Sequence, residues 1–347
     1  MYNVFVDQHH MGLYNSLRML FEDRLGGKLF RPIGTAWMEK GYWKMAEIYR
    51  NHPATVAQYL GIPDALFNSS GIYSIEDTQH HAMTHALTVE AFMQTPIDIV
   101  IATLPMHIES FARLAAQHPN HPKFIFQIGN AWNVPPGAPV KNVMASAVIH
   151  EPIPAGTNIV TYHQEFDEKI FTYWLDWKCP EGQEIASFVN CFSTDGNYAG
   201  DWELFQQIEK LMPDWSFKTF GGSCRDGSIG PIEELATNMR LSKFIWHTKY
   251  GGDGYGHVLY NSAAVARPII TKVGYYFGKM GHELMQDGVT CIGIDGLTNE
   301  QIVEKIQYFS EPDRYITMCR NVRANYENKV NFNTEFQQLQ HFLKNLL

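Results

Sequence analysis

The 347-residue chain carries 27 basic against 36 acidic side chains, a net charge of −9, which argues against a nonspecific nucleic-acid coat or an anionic-membrane anchor. Hydrophobic residues make up 45% and charged residues 18%, and no apolar run reaches the length of a bilayer-spanning helix, so a globular protein is expected, without membrane insertion. The length exceeds what one core usually holds, and two domains follow.

The N-terminus MYNVFVDQHH has no basic start, apolar centre or small-residue cleavage site, which makes the cytosol the expected location. Its YNVFV is a short strand ending at Asp7, and MGLYNSLRMLFEDRLGG has helical apolar spacing closed by two glycines. From Arg18 to Arg50 basic residues, among them Arg31, alternate with rings that include Trp37. Within it, KLFRPIGTAWMEKGYWKMAEIYR suits sugars, phosphates or bases as an acceptor surface, although a half-buried helix pair with a solvated charged face is the preferred reading. DIVIATLP then reads as a buried strand, HIESFARLAAQHP as an amphipathic helix stopped by proline, and KFIFQIG as another strand. This alternation predicts a parallel sheet covered on both faces by helices.

Around TYWLDWKCPEGQE the periodicity fails and Pro180 and Gly182 punctuate the chain, so the domain boundary is expected there. The first domain is thus read as 1–180. The second, 181–330, restarts as an apolar strand over 186–192 and continues with a helix from Asp201 as N-cap, strand WSFKTFGG, helix PIEELATNMR and strand KFIWHT. After the stretch GGDGYGHVLYNSAAVARPII come strand VTCIGI, helix NEQIVEKIQYF and a helix from Asp313. The last stretch, 331–347, is an amphipathic helix free to pack back across the first domain.

Cys179, Cys191, Cys224, Cys291 and Cys319 are odd in number and widely spaced with no C-x-x-C pair, which predicts mostly buried thiols and neither a disulfide framework nor a zinc site. The 15 histidines tempt a metal reading. In QHHAMTH, His81 and His85 could share a helix face, but no H-E-x-x-H pattern or third ligand accompanies them, and no metal is expected.

In GGDGYGHVLYNSAAVARPII, three glycines and an acid precede a small-residue helix, a loop suited to close backbone approach and to an anion at the positive end of the helix. Asp253 could instead be an ordinary dipole-complementing acid at a helix start. The segment from DGYGHVLYNSAAVARPII through the loop GYYFGKMGHELMQDG to QYFSEPDRYITMCRNVRANY resembles the donor-binding half of the retaining GT-B glycosyltransferases with a glutamate-x7-glutamate motif, over 186–330. What that resemblance implies is a GT-B fold: two Rossmann-like doubly wound α/β domains facing a cleft, donor on the second and acceptor on the first.

By the same resemblance Asp253 stands at the first Glu of the motif and contacts the donor sugar, while Asn261 replaces the second, which holds the ribose diol. Gly254, Tyr255, Gly256 and His257 would offer backbone N–H groups to the diphosphate. The basic pair expected for that diphosphate is absent from CFSTDGNYAGD, leaving Arg225 and Lys249 as substitutes. In the first domain, His107 or, by equal spacing, Thr103 takes the place of a residue touching the donor sugar. HHMGLYNS, with Gly12, fills the place of the glycine loop after the first strand, and Asp7, His9 and His10 lie beside it as acceptor-side groups, His10 a candidate base.

The expected activity is transfer of a sugar from a nucleotide sugar, UDP-linked by preference, to a hydroxyl acceptor: a glycan, a small molecule or a hydroxymethylated base in DNA, as some phage members modify. The nucleotide sugar is the substrate, no cofactor is implied, and retention follows from the motif alone. A nucleotide-sugar 2-epimerase of the same fold and a non-catalytic nucleotide-sugar binding protein are the competing readings.

Overall fold

The computed structural model describes residues 1–7, 10–32, 71–129, 134–135, 137–150, 153–173, 180 and 182–347. The chain forms two compact units, Met1–Phe166 with Phe332–Leu347, and Asp167–Asn331. The change of unit falls between Phe166 and Asp167, ahead of Pro180, and the C-terminal segment belongs to the first unit.

Among the described residues the first unit holds an eight-stranded sheet in the order β3-β4-β2-β1-β5-β6-β7-β8. Its strands are β1 (Asn3–Val6), β2 (Lys28–Pro32), β3 (Ile72–Asp77), β4 (Ala82–Leu87), β5 (Ile99–Ala102), β6 (Lys123–Ile128), β7 (Asn142–Ala145) and β8 (Asn158–Thr161). All neighbours run parallel except the β3–β4 hairpin. Strand side chains alternate between faces. Phe5, Phe30, Val100 and Phe126 therefore enter one buried cluster with Phe111, while Val4, Val6, Leu29, Ile101 and Ile125 enter another with Leu13 and Leu17. Two covered faces are why these strands read as unbroken apolar runs.

Helices α1 (Met11–Arg18), α2 (Val89–Gln94) and α3 (Ile108–Gln117) cover this sheet, and α1 runs on into a π-helical turn, Met19–Arg24. Gly27 closes that connection, because a Cβ there would sit 2.1 Å from the Tyr2 carbonyl oxygen. Gly12, read from the sequence as part of a loop, lies in the first turn of α1. QHHAMTH is a hairpin and not a helix: residues 78–81 turn, with His81 at φ +50°, and His85 sits in β4 opposite Ser74. Local pairing takes up its histidines, His80 on Asp77 at 2.8 Å and His85 on Ser74 at 3.1 Å. Among the described residues no group of three or more His, Cys, Asp or Glu is placed to hold a metal ion, and no helix is long and apolar enough to cross a membrane.

The second unit is a parallel sheet in the order β10-β9-β11-β12-β13, formed by β9 (Glu184–Ser187), β10 (Ser216–Thr219), β11 (Phe244–Trp246), β12 (Ile269–Thr271) and β13 (Cys291–Gly293). Around it lie α4 (Ala199–Leu211), α5 (Ile232–Leu241), α6 (His257–Ala264), α7 (Asn299–Ser310) and α8 (Pro312–Lys329). Asp201 is not an N-cap. Asp195 caps the short turn Gly196–Tyr198 that leads into α4 by accepting the Asn197 N–H, and Asp201 lies buried in the first turn of α4 itself with Lys272 at 2.7 Å. Similarly α8 opens at Pro312 rather than Asp313, proline being tolerated in a first helical turn. Of the described cysteines, Cys291 and Cys319 are buried and Cys191 and Cys224 half-buried, all four free; burial pushes the Cys291 thiol up to about 12.

The terminal helix α9 (Phe332–Lys344) packs along β8 and adds Leu339, Phe342 and Leu343 to the buried cluster that holds Val4, Ile101, Ile125 and Val160. Its Glu335 carboxylate accepts the His163 backbone N–H at 2.7 Å and the His163 Nδ1–H at 2.8 Å. The carboxylate satisfies two donors at a nearly closed surface, so Glu335→Ala should destabilise the protein by about 2–3 kcal/mol. Urea denaturation followed by circular dichroism checks this, and a change below about 0.5 kcal/mol would remove Glu335 as the anchor of α9.

Candidate functional site

In open α/β sheets ligands are met beyond the carboxyl ends of the strands. In the second unit the loop leaving β11 runs through His247, Lys249 and the glycines to α6. Gly251, Gly252 and Gly256 take φ of +76°, +62° and +80°, the left-handed region that glycine enters without strain. A Cβ on Gly252 would meet the Tyr275 carbonyl oxygen at 2.4 Å and the Lys279 Nζ at 2.9 Å. Gly256 is the N-cap of α6 and supplies no capping side chain, and among the described residues the N–H groups of Gly254, Gly256 and Val258 make no hydrogen bond. The result is a helix start whose amides remain available to an anion.

Asp253 does not cap the helix. His247 donates from Nε2 to its Oδ2 at 2.9 Å, and Lys249 donates from Nζ to its Oδ1. Burial on its own would raise the carboxyl pKa, but the hydrogen bond and charge of His247, joined by Lys249, hold it well below the usual carboxylate range. Lys249 is held above its ordinary value, burial being outweighed by Asp253. Lys279, which donates to the Gly252 carbonyl oxygen at 3.1 Å, is lowered by burial and by repulsion from Lys249. Two ammonium groups and one carboxylate thus meet where α6 begins. His247 and Lys279 went unnoticed in the sequence: His247 could have been found as the polar end of an apolar strand, whereas Lys279 sits in a loop without period.

The remaining donor-side candidates divide. Tyr255 is buried and stacked on Tyr260 with ring centroids 4.3 Å apart, so its ring belongs to the interior and only its backbone borders the loop. His257 opens α6 with its ring edge-on to Tyr255 at 5.3 Å. Asn261 is buried one turn further along, and its Oδ1 has no hydrogen-bond partner. Arg225 does not offer a free guanidinium. It binds Glu209 at 2.9 and 3.0 Å, Asp226 at 3.3 Å and the Phe217 carbonyl oxygen at 2.5 Å, and so ties its own loop to α4 and β10.

In the first unit the corresponding edge brings together three predicted residues. Asp7, just beyond β1, is buried, and its two oxygens each lie 2.9 Å from the Thr103 backbone N–H. His107, in the short turn Pro105–His107 after β5, donates from Nδ1 to Asp7 Oδ2 at 2.6 Å and lies against Phe111. An ionised carboxylate can only accept, so the Nδ1 of His107 carries the proton and Nε2 is the nitrogen left for other chemistry. Thr103 contributes its backbone, while its buried hydroxyl has no partner. His10 is exposed at the N-cap position of α1, and Arg31 is buried at the end of β2. His9, Trp37 and residues 33–50 of the aromatic and basic stretch lie outside the described residues, and the start of KLFRPIGTAWMEKGYWKMAEIYR, Lys28–Pro32, is strand β2 and not part of a helix pair, because it pairs with β1 and β4.

No protein-family model matches the sequence, and no curated protein matches it either. Solved structures do. The chain is similar to HepE of Anabaena, solved with UDP and glucose, at 12% identity over 100% of both chains with a TM-score of 0.64. It is similar to an α-glucosyltransferase solved with UDP and a 13-mer DNA, at 9% identity over 99% of this chain and 100% of the other, TM-score 0.63. A glycosyltransferase of Rickettsia africae matches at 14% identity over 99% of each chain, TM-score 0.61. The fold is that of the GT-B glycosyltransferases.

The depressed Asp253 carboxyl has a stability consequence. A group whose native pKa lies below its unfolded value stabilises fully above the unfolded value, about 4, and loses that contribution as pH falls toward the native one. The stability difference between the protein and Asp253→Asn should therefore be constant from about pH 5 to 7 and shrink below about pH 4. Denaturant titrations across that range check it, and a gap that widens on acidification would contradict the assigned pairing.

Proposed function

We propose that the chain transfers a sugar from a nucleotide sugar to a hydroxyl acceptor, binding the donor on its second unit. The observation that carries this reading is the uncapped, glycine-lined start of α6 with Lys249 and Lys279 beside it. As the glycosidic bond to the diphosphate breaks, negative charge grows on the leaving group, and fixed amides and ammonium groups stabilise it without reorganising. We assign the diphosphate to the amides of Gly254, Gly256 and Val258 and to the two lysines, so the positive charge comes from the protein and no metal or other cofactor is invoked.

Asp253 keeps lone pairs beyond those used by His247 and Lys249 and accepts hydrogen bonds from the sugar hydroxyls. Asn261, with its unpartnered Oδ1, takes the ribose. On the first unit His107, its tautomer set by Asp7, addresses the reacting sugar through Nε2. Likeness of fold to HepE and to the α-glucosyltransferase, both solved with UDP, supports a UDP-linked donor. A retaining outcome rests on the resemblance of the donor motif.

Incubating the protein with UDP-, GDP- and ADP-sugars, with and without DNA containing hydroxymethylated bases, separates this reading from its competitors. A transferred sugar supports it; an epimerised sugar or binding without turnover refutes it. Lys249→Ala and Lys279→Ala should each weaken UDP binding by about ten- to a hundredfold, the loss of one charge-assisted hydrogen bond of about 1.5–3 kcal/mol. Asp253→Ala should abolish transfer yet leave UDP binding intact, because it frees Lys249. Calorimetry and a product assay read both, and full turnover in Asp253→Ala would remove the site assignment.

A further inference from the structure

Arg31 is buried, with 7% of its surface exposed, and sits at the carboxyl end of β2 with Val6 and Asp7 on the neighbouring strand edge. Its environment is unusual for a guanidinium. Among the described residues its only hydrogen bonds are two long ones, from Nε and Nη2 to the single Thr84 hydroxyl at 3.4 Å, and no carboxylate comes within ion-pairing distance. Among the described residues the nearby acids, Asp77 and Glu22, are engaged elsewhere. Asp77 accepts from the His80 ring at 2.8 Å and from the Gln79 N–H at 3.0 Å, and Glu22 accepts the Leu29 N–H at 2.8 Å. Thr84 in turn gives its proton to the Ile75 carbonyl oxygen at 3.1 Å.

A buried cation without an anionic partner costs stability, and proteins that keep one generally hold it for a ligand that supplies the missing charge. Burial also pulls the Arg31 pKa down, and the charge of Asp77, which acts the other way, does not offset it. The planar fork of a guanidinium matches phosphate oxygens in shape, and a phosphate ester brings up to two negative charges to one point.

We propose that Arg31 is the anchor of an acceptor subsite on the first unit and that the acceptor bears a phosphate ester. The inference rests on the glycosyl-transfer reading, but it places the anion on a different unit from the donor diphosphate. Arg31 holds the acceptor by its phosphate and takes no part in bond making.

The test uses inorganic phosphate as probe, titrated into the full chain in the presence of saturating UDP and followed by calorimetry and by 31P line width. Saturable phosphate binding is expected. Arg31→Met should lose it by at least about tenfold, whereas Arg31→Lys retains it within about fivefold, since a point charge remains. Arg31→Met should also melt at or above the temperature of the unaltered protein, because replacing an unpaired buried charge by an apolar side chain of similar volume relieves its desolvation. Displacement of bound phosphate by a hexose phosphate assigns a small phosphorylated acceptor, and displacement by a short DNA duplex assigns a nucleic-acid backbone. The subsite is overturned if Arg31→Met binds phosphate as tightly as before, if neither competitor displaces phosphate, or if Arg31→Met melts several degrees lower. UDP binding is measured separately. Its absence would refute the donor reading while the phosphate titration still reports on Arg31, and its presence without phosphate binding would sink only the subsite.

Discussion

The carboxylate of Asp253 and the two groups that share it set the geometry of the second unit's loop. A carboxylate taken from water is stable only when paired and hydrogen-bonded, and His247 at the end of β11 and Lys249 in the loop do both. Because that carboxylate is held from behind, it does not turn to cap α6. The helix start is left to Gly256, which has no side chain to offer, and the first amides stay open. The left-handed glycines and the close approach of Lys279 to Gly252 belong to the same loop.

The two units apply one rule with different chemistry. In each, polar residues gather beyond the carboxyl ends of parallel strands, where side chains can converge without breaking a ladder of backbone hydrogen bonds. In the second unit the gathering is mainly cationic and amide-lined. In the first, Asp7 accepts from Thr103 and His107 and presents a histidine of defined tautomer, with Arg31 at the neighbouring strand end. On the proposed glycosyl-transfer reading the open amides serve a leaving diphosphate and the histidine a sugar.

Much of the fold was legible in the chain. Period and punctuation found β1, β5, β6 and most of the second unit, because strands covered on both faces show as apolar runs and helices over them show an apolar stripe. The β3–β4 hairpin and strands β7 and β8 fall in stretches without a clear period, and in QHHAMTH the four-residue spacing of His81 and His85 fits a helix as well as a turn followed by a strand. Asp201 reads as a cap from residue type alone, yet Asp195 caps the turn that precedes α4 and Lys272, far along the chain, claims Asp201 for an ion pair. Of the candidate site, Asp253 with its glycines and the residues Asp7, Thr103 and His107 are legible in the sequence from residue type and place beyond strand ends. Arg225 is a candidate by residue type too, but its loop turns it toward Glu209 instead.

By itself the sequence determined the alternation of strand and helix, the glycine loop entering α6 and the residue types available at the strand ends, since all of these depend on neighbours a few positions away. Only the tertiary structure decided which charges meet. The pairing of Asp7 with His107, the approach of Lys279 to Gly252 and, among the described residues, the lack of a carboxylate partner for Arg31 depend on residues distant in sequence, and their energies come from burial and distance, which no local pattern encodes.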